Sequence, residues 1–367
     1  MHFLARATLL AALALPLTAA DPAQTITAYH ADGPVIQVAL LLDDSGSMEG
    51  LINQARAQLW ELVGLLGKTT RNGKHPRVEV ALYHYGDVPF LAAPVVPLSS
   101  DLDQISERLF TINGGGGTEA CGQVIHNALS QLAWRQGPDA LRLIVIAGNE
   151  PFTQGSYDWR AAVGEAAGSG IVVHTIHCGP RADGVAGQWE AGARLGGGTF
   201  TCIDQDASVA IRAPQDDELS VLNQRLNATY LAYGAKGAAM QERQVAQDSN
   251  ASSVGGFSSR AAAKASSAYE NSGWDAVDAV REKKLDVTNA PVAELPVELR
   301  DKTPEQRTAL IAEKQRERSE LQGRIAKLGA ERSAWVAQQK PEAKTLGDGL
   351  RAAVQAQAQA AGFTIAQ

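Results

Sequence analysis

At 367 residues the chain is long enough for about two domains. With 45% hydrophobic and 20% charged residues it can bury a sizeable core, which excludes wholesale disorder. Lys and Arg number 33 against 40 Asp and Glu, a net charge of -7; that argues against nucleic acid as a partner, because phosphate binding needs a basic face. Three cysteines cannot build a dense disulfide framework.

In chain order, residues 1–20 come first: Arg6, a short apolar stretch from Ala7 to Leu17, then small residues. This is the pattern of a cleaved secretory signal, so the mature protein is expected to be exported, to the periplasm or the medium. No later apolar run approaches the roughly 18 residues of a spanning helix, so no transmembrane segment is expected after signal removal. From residue 33 to 235 short apolar runs alternate with helical patterns. Val35–Leu42, Val78–Tyr83, Leu141–Ala147, Ile171–Ile176 and Thr199–Ile203 read as strands, and the first four are apolar enough to be covered on both faces. Residues 51–66, 123–134 and 216–232 carry apolar residues at helical spacing. Strands alternating with helices predict an α/β fold with a doubly wound, mostly parallel sheet.

Residues 236–268 are rich in Ala, Ser and Gly and read as a linker. Residues 269–340 read as a helical region. Its long charged helix opens at a capping box, Thr303 with Gln306, and offers a means of oligomerisation, although charges at Lys314, Glu317 and Arg332 break a coiled-coil heptad. Residues 341–367 form an Ala/Gln-rich tail to which no role is assigned.

Chemistry concentrates where the first strand ends, at Asp43-Asp44-Ser45-Gly46-Ser47. Ligands of open parallel sheets bind outside the carboxyl ends of the strands. Two hydroxyls beside a carboxylate there make a hard-oxygen site suited to Mg²⁺ or another divalent cation. Gly114–Gly117 is a flexible loop that delivers Thr118 to the same edge, with Asp44, Glu119 and Glu150 as auxiliary acids.

The chain here resembles the von Willebrand factor A domain family over roughly residues 33–235. The Asp-x-Ser-x-Ser pattern is matched by Asp43, Ser45 and Ser47, and the Gly-rich loop with its Thr by Thr118. The resemblance implies a metal-ion-dependent adhesion site. Ser45, Ser47 and Thr118 would contact a divalent cation, Asp43 would orient them, and a protein partner presenting an acidic residue would complete the shell. The family's second aspartate, after that family's fourth strand, is here Gly148, so an Asp restored at 148 is expected to strengthen cation binding.

Cys121 at a helix start and Cys178 after the fifth strand are both expected on this edge, so a Cys121–Cys178 disulfide is expected; Cys178–Cys202 and three free thiols are the alternatives. The function expected is protein binding rather than catalysis. The alternatives are a metal-assisted hydrolase and a structural envelope protein assembling through its C-terminal helix.

Overall fold

β1 (Val35–Asp43) is buried along its whole length, as a strand is when helices cover both faces of its sheet. In chain order follow α1 (Glu49–Gly67), a short β2 (Thr69–Thr70), β3 (Arg77–Tyr85), β4 (Val96–Ser99), α2 (Leu102–Thr111), α3 (Cys121–Gln131), β5 (Ala140–Gly148), α4 (Trp159–Gly168), β6 (Val172–Cys178), α5 (Arg181–Ala186), α6 (Trp189–Leu195) and β7 (Gly197–Ile203). This computed structural model describes residues 33–86, 94–207, 210–339 and 344–365. The expected signal segment lies outside the described residues. Among those described, no helix is long and apolar enough to cross a membrane.

The main sheet runs β4-β3-β1-β5-β6-β7. All its pairs are parallel except β3 with β4, an antiparallel edge that the sequence pattern did not signal. Alternation along each strand divides the core into two layers. Ile36, Val38, Leu40 and Leu42 pack with α1 and α2 on one face. Ala39 and Leu41 pack with α3, α4 and Trp189 on the other. After β1 the chain moves outward to β3, and later returns to lay β5 on the other side of β1. The carboxyl ends of β1 and β5 therefore flank the point where the strand order reverses, the place where this architecture opens a crevice.

The two layers also decide the thiols. Cys121 packs in the α3 layer and Cys178 in the α1 layer, so the expected Cys121–Cys178 disulfide is ruled out by the sheet between them. Cys202 pairs with His177, one residue before Cys178, so Cys178 and Cys202 also point to opposite faces. All three cysteines are free.

The second half is helical: α7 (Asp216–Asn227), α8 (Gly237–Ser253), α9 (Phe257–Lys264), α10 (Ala276–Arg281), α11 (Pro304–Gln339) and α12 (Leu346–Ala360), ending in β8 (Thr364–Ile365). The stretch expected to be a linker is α8 and α9. Arg260 and Lys264 on α9 have no exposed surface and are bound to Asp248 on α8, and Arg260 also reaches Asp103 on α2, 2.8 Å away. The tail holds α12, whose Leu346, Leu350 and Val354 belong to the same core layer as Leu143, Val145 and Ile176 of the sheet. The N-terminal end of α12 is seated on α1: Leu346 N donates to Gln54 Oε1 at 2.7 Å and Gly347 N to Gln58 Oε1 at 2.6 Å. The capping box of α11 forms as expected, with Thr303 N donating to Gln306 Oε1 at 3.0 Å. Its buried residues Leu321 and Ile325 pack into the chain's own core, so these two positions are already covered.

Candidate functional site

The turn after β1 is held by its own side chains. Asp43 Oδ1 accepts the Ser45 N–H at 2.9 Å, and Met48 N donates to Ser45 O at 2.8 Å to start the helical turn that leads into α1. This geometry brings Ser45 Oγ and Ser47 Oγ within 3.2 Å of each other, so the two hydroxyls face one point as their spacing implied. Asp43 itself has no exposed surface. Its Oδ2 has no hydrogen-bond partner within bonding distance among the described residues. Burial pushes the Asp43 carboxyl up to about 7; the Ser45 N–H and hydroxyl, and more weakly the Asn149 N–H, pull it down, while Glu119 adds repulsion. The site is thus a buried carboxylate with too little positive charge around it.

The glycine loop is pinned to this turn. Gly115 N donates to Asp44 O at 2.8 Å. A side chain at Gly114 would crowd that same Asp44 carbonyl, at 3.2 Å from its first carbon. Thr118 lies three residues beyond this anchor, exposed at the edge. The auxiliary acids are placed differently from one another. Asp44 is taken by His84, whose Nδ1 lies 2.6 Å from Asp44 Oδ2. Gln154 bridges the other two, accepting from Glu119 N at 3.2 Å and donating to Glu150 Oε2 at 3.2 Å. Burial, then repulsion from Glu150 and Asp44, raises the Glu119 carboxyl.

Position 148 is constrained by contact. A Cβ there would lie 2.7 Å from the Tyr85 hydroxyl and 2.9 Å from Asp43 Oδ2. Tyr85, the last residue of β3 and opposite Asp43 in the sheet, passes across the end of β1 and donates to Ala147 O at 2.9 Å. It fills the volume a longer residue at 148 would occupy, so an Asp there cannot simply be added as expected.

Three neighbours of the site were not legible in the motif. Asn149 Nδ2 donates to Ser47 Oγ at 3.3 Å. Gln205, after β7, donates to Ser47 O at 2.8 Å. Tyr85 lies two residues beyond the stretch 78–83 that reads as a strand, at the end of β3. None of the three has a spacing signal, because each reaches the turn from a different strand end.

No cluster of three or more His, Cys, Asp or Glu side chains among the described residues could hold a metal. A cation here would be held chiefly by hydroxyl oxygens. The donor set suits a hard ion of that kind, with two converging hydroxyls, a third on a tethered loop, and one buried carboxylate oxygen without a partner.

A doubly wound sheet with a hydroxyl-bearing turn at its switch point defines an α/β domain whose crevice lies at the carboxyl edge. Residues 37–188 match the von Willebrand factor type A domain, and the chain carries a domain of that family. Among solved structures, the chain is similar to an aerotolerance-related membrane protein from Bacteroides fragilis carrying multiple mutations to serine. The identity is 19% over 47% of this chain and 93% of that one, with a TM-score of 0.33. It is also similar to BatB, a conserved hypothetical protein from Bacteroides thetaiotaomicron, at 20% identity over 46% and 90%, TM-score 0.35. A third is proximal thread matrix protein 1 from the mussel byssus, at 13% identity over 47% and 43%, TM-score 0.35. No curated protein matches the chain.

Proposed function

We propose that this chain is an exported protein-binding module, not an enzyme, whose contact surface is the carboxyl edge around Asp43, Ser45, Ser47 and Thr118. On this reading the three hydroxyls hold Mg²⁺ or a similar divalent cation, Asp43 balances part of its charge, and an acidic residue of the partner supplies the rest. The observation that carries it is the buried Asp43 Oδ2, left without a partner beside the 3.2 Å hydroxyl pair; such an oxygen is costly unless a positive group satisfies it. The test is a pull-down from an extract of the source cells' envelope, with Mg²⁺ or with chelator, using wild type and Ser45→Ala with Ser47→Ala. Partner capture is expected to need the cation, and the double variant is expected to lose it while its circular dichroism stays unchanged.

A second reading is favoured by the rim. Asp44, Glu119 and Glu150 lie close enough for their charges to raise Glu119, and a partner's Lys or Arg would relieve that repulsion with no metal. Capture that persists in chelator and weakens as salt rises selects this reading.

A further inference from the structure

Position 148 is closed to a carboxylate by the Tyr85 hydroxyl and by Asp43 itself, at 2.7 and 2.9 Å from a Cβ built there. One residue further on, the chain sends a side chain into the site. The Asn149 carboxamide reaches the Ser47 hydroxyl through Nδ2 at 3.3 Å. Its Oδ1 is buried and has no hydrogen-bond partner among the described residues, the same condition as Asp43 Oδ2. Both oxygens belong to side chains that bond the same turn, Asp43 through the Ser45 N–H and Asn149 through the Ser47 hydroxyl. A protein leaves buried acceptors so rarely unpaired that each calls for a reason, and a shared positive group is a single reason for both.

We infer that Asn149 belongs to the cation site, its neutral carboxamide taking the part of the missing second carboxylate while Tyr85 closes position 148. This rests on the cation reading above and deepens it. Exchanging a charged oxygen for a neutral one leaves the free site a full charge short, and affinity for a hard dication follows the count of charged ligands. The site is therefore built to hold a divalent cation weakly alone and firmly once a partner's carboxylate arrives. Cation and partner must then tighten each other by the same factor.

The experiment is calorimetric titration of Mn²⁺ into the full chain and into N149D, N149A and G148D, with circular dichroism and thermal unfolding recorded for each. Asn149→Asp adds charge without adding volume, and it places a carboxylate oxygen at Ser47 whichever way the amide lies. It is expected to bind Mn²⁺ about tenfold more tightly than wild type. Asn149→Ala is expected to bind several-fold more weakly, and Gly148→Asp to gain nothing. If Mn²⁺ binds wild type and neither change at 149 alters the affinity, Asn149 is no part of the site; this inference falls and the cation reading stands. If none of the proteins takes up Mn²⁺, N149D included, both fall. If Gly148→Asp is the tighter binder, Tyr85 does not close that position and the inference is overturned.

Discussion

Gly148 shows how contact alone can fix the residue at a site. Its backbone is ordinary extended strand, so the glycine is not there for a left-handed turn. It is there because Tyr85 Oη, Asp43 Oδ2 and Asp43 Cβ would stand at 2.7, 2.9 and 3.0 Å from any side chain's first carbon, closer than real Cβ contacts allow. Gly148→Ala is therefore expected to destabilise the fold by about 1–3 kcal/mol, the usual cost of forcing a methyl into a packed core, read as a lower urea midpoint. Tyr85 donates to Ala147 O at 2.9 Å and cannot retreat without losing that buried bond. An unchanged midpoint would mean that Tyr85 and Asp43 yield easily, and that the lost aspartate could be restored after all.

At the scale of elements, what the sequence made legible followed from periodicity and short-range chemistry. β1, β3, β5 and β6 were visible because strands covered on both faces must be apolar at nearly every position, and α11 because Thr303 and Gln306 spell out its cap. α8 and α9 were illegible for a physical reason. Beside small alanines their buried faces carry Gln244, Asp248, Arg260 and Lys264, polar residues that show no apolar period and are paired only across space. The same is true of Asn149, Tyr85 and Gln205 at the site, which converge from separate strands. The buried charges of α8 and α9 have a measurable signature. Burial pushes the Asp248 carboxyl up, but Lys264, Arg260, Asn227 and Asn223 together hold it at about 2, below its ordinary 3.8. A carboxylate lowered on folding contributes its stability above the unfolded value and loses it as pH falls through the folded one. About 2 kcal/mol should therefore disappear between about pH 4 and pH 2. At Lys264 burial outweighs Asp248, and the ammonium falls to about 8, so the two partners pull stability in opposite senses. The acid limb is the firmer one, because the permanently charged Arg260 faces the same carboxylate. Asp248→Asn is expected to cost about 3 kcal/mol at neutral pH by leaving buried cations under-compensated, and to flatten the acid limb of urea unfolding; a limb as steep as wild type would place the titrating group elsewhere.

At the scale of the whole molecule, the A-type domain is not closed by its own segment of chain. Ile176 of β6 would touch a side chain added at Gly349 of α12 at 2.8 Å, and Leu346, Leu350, Val354 and Phe363 are buried in the same layer as Leu143 and Val145. The helix that covers this half of the sheet thus arrives from the C-terminus, more than 140 residues after the last strand it protects. Its first N–H groups are capped by Gln54 and Gln58 of α1 rather than by its own neighbours alone, which ties α12 to the helix that follows the Ser45–Ser47 turn. At about 1.5–3 kcal/mol for each large apolar side chain, those four residues contribute roughly 6–12 kcal/mol as an upper bound. That is the size of a typical domain's whole stability. A fragment spanning residues 33–235 is therefore expected to lack a cooperative unfolding transition, in spite of containing every strand of the main sheet, whereas the milder Leu350→Ala in the full chain should keep the fold and lose about 2–5 kcal/mol. Urea titrations followed by tryptophan fluorescence compare the three proteins directly. A 33–235 fragment that unfolds with the midpoint and slope of the full chain would show that α12 only rests on a finished domain, and binding at the carboxyl edge could then be studied on the fragment alone.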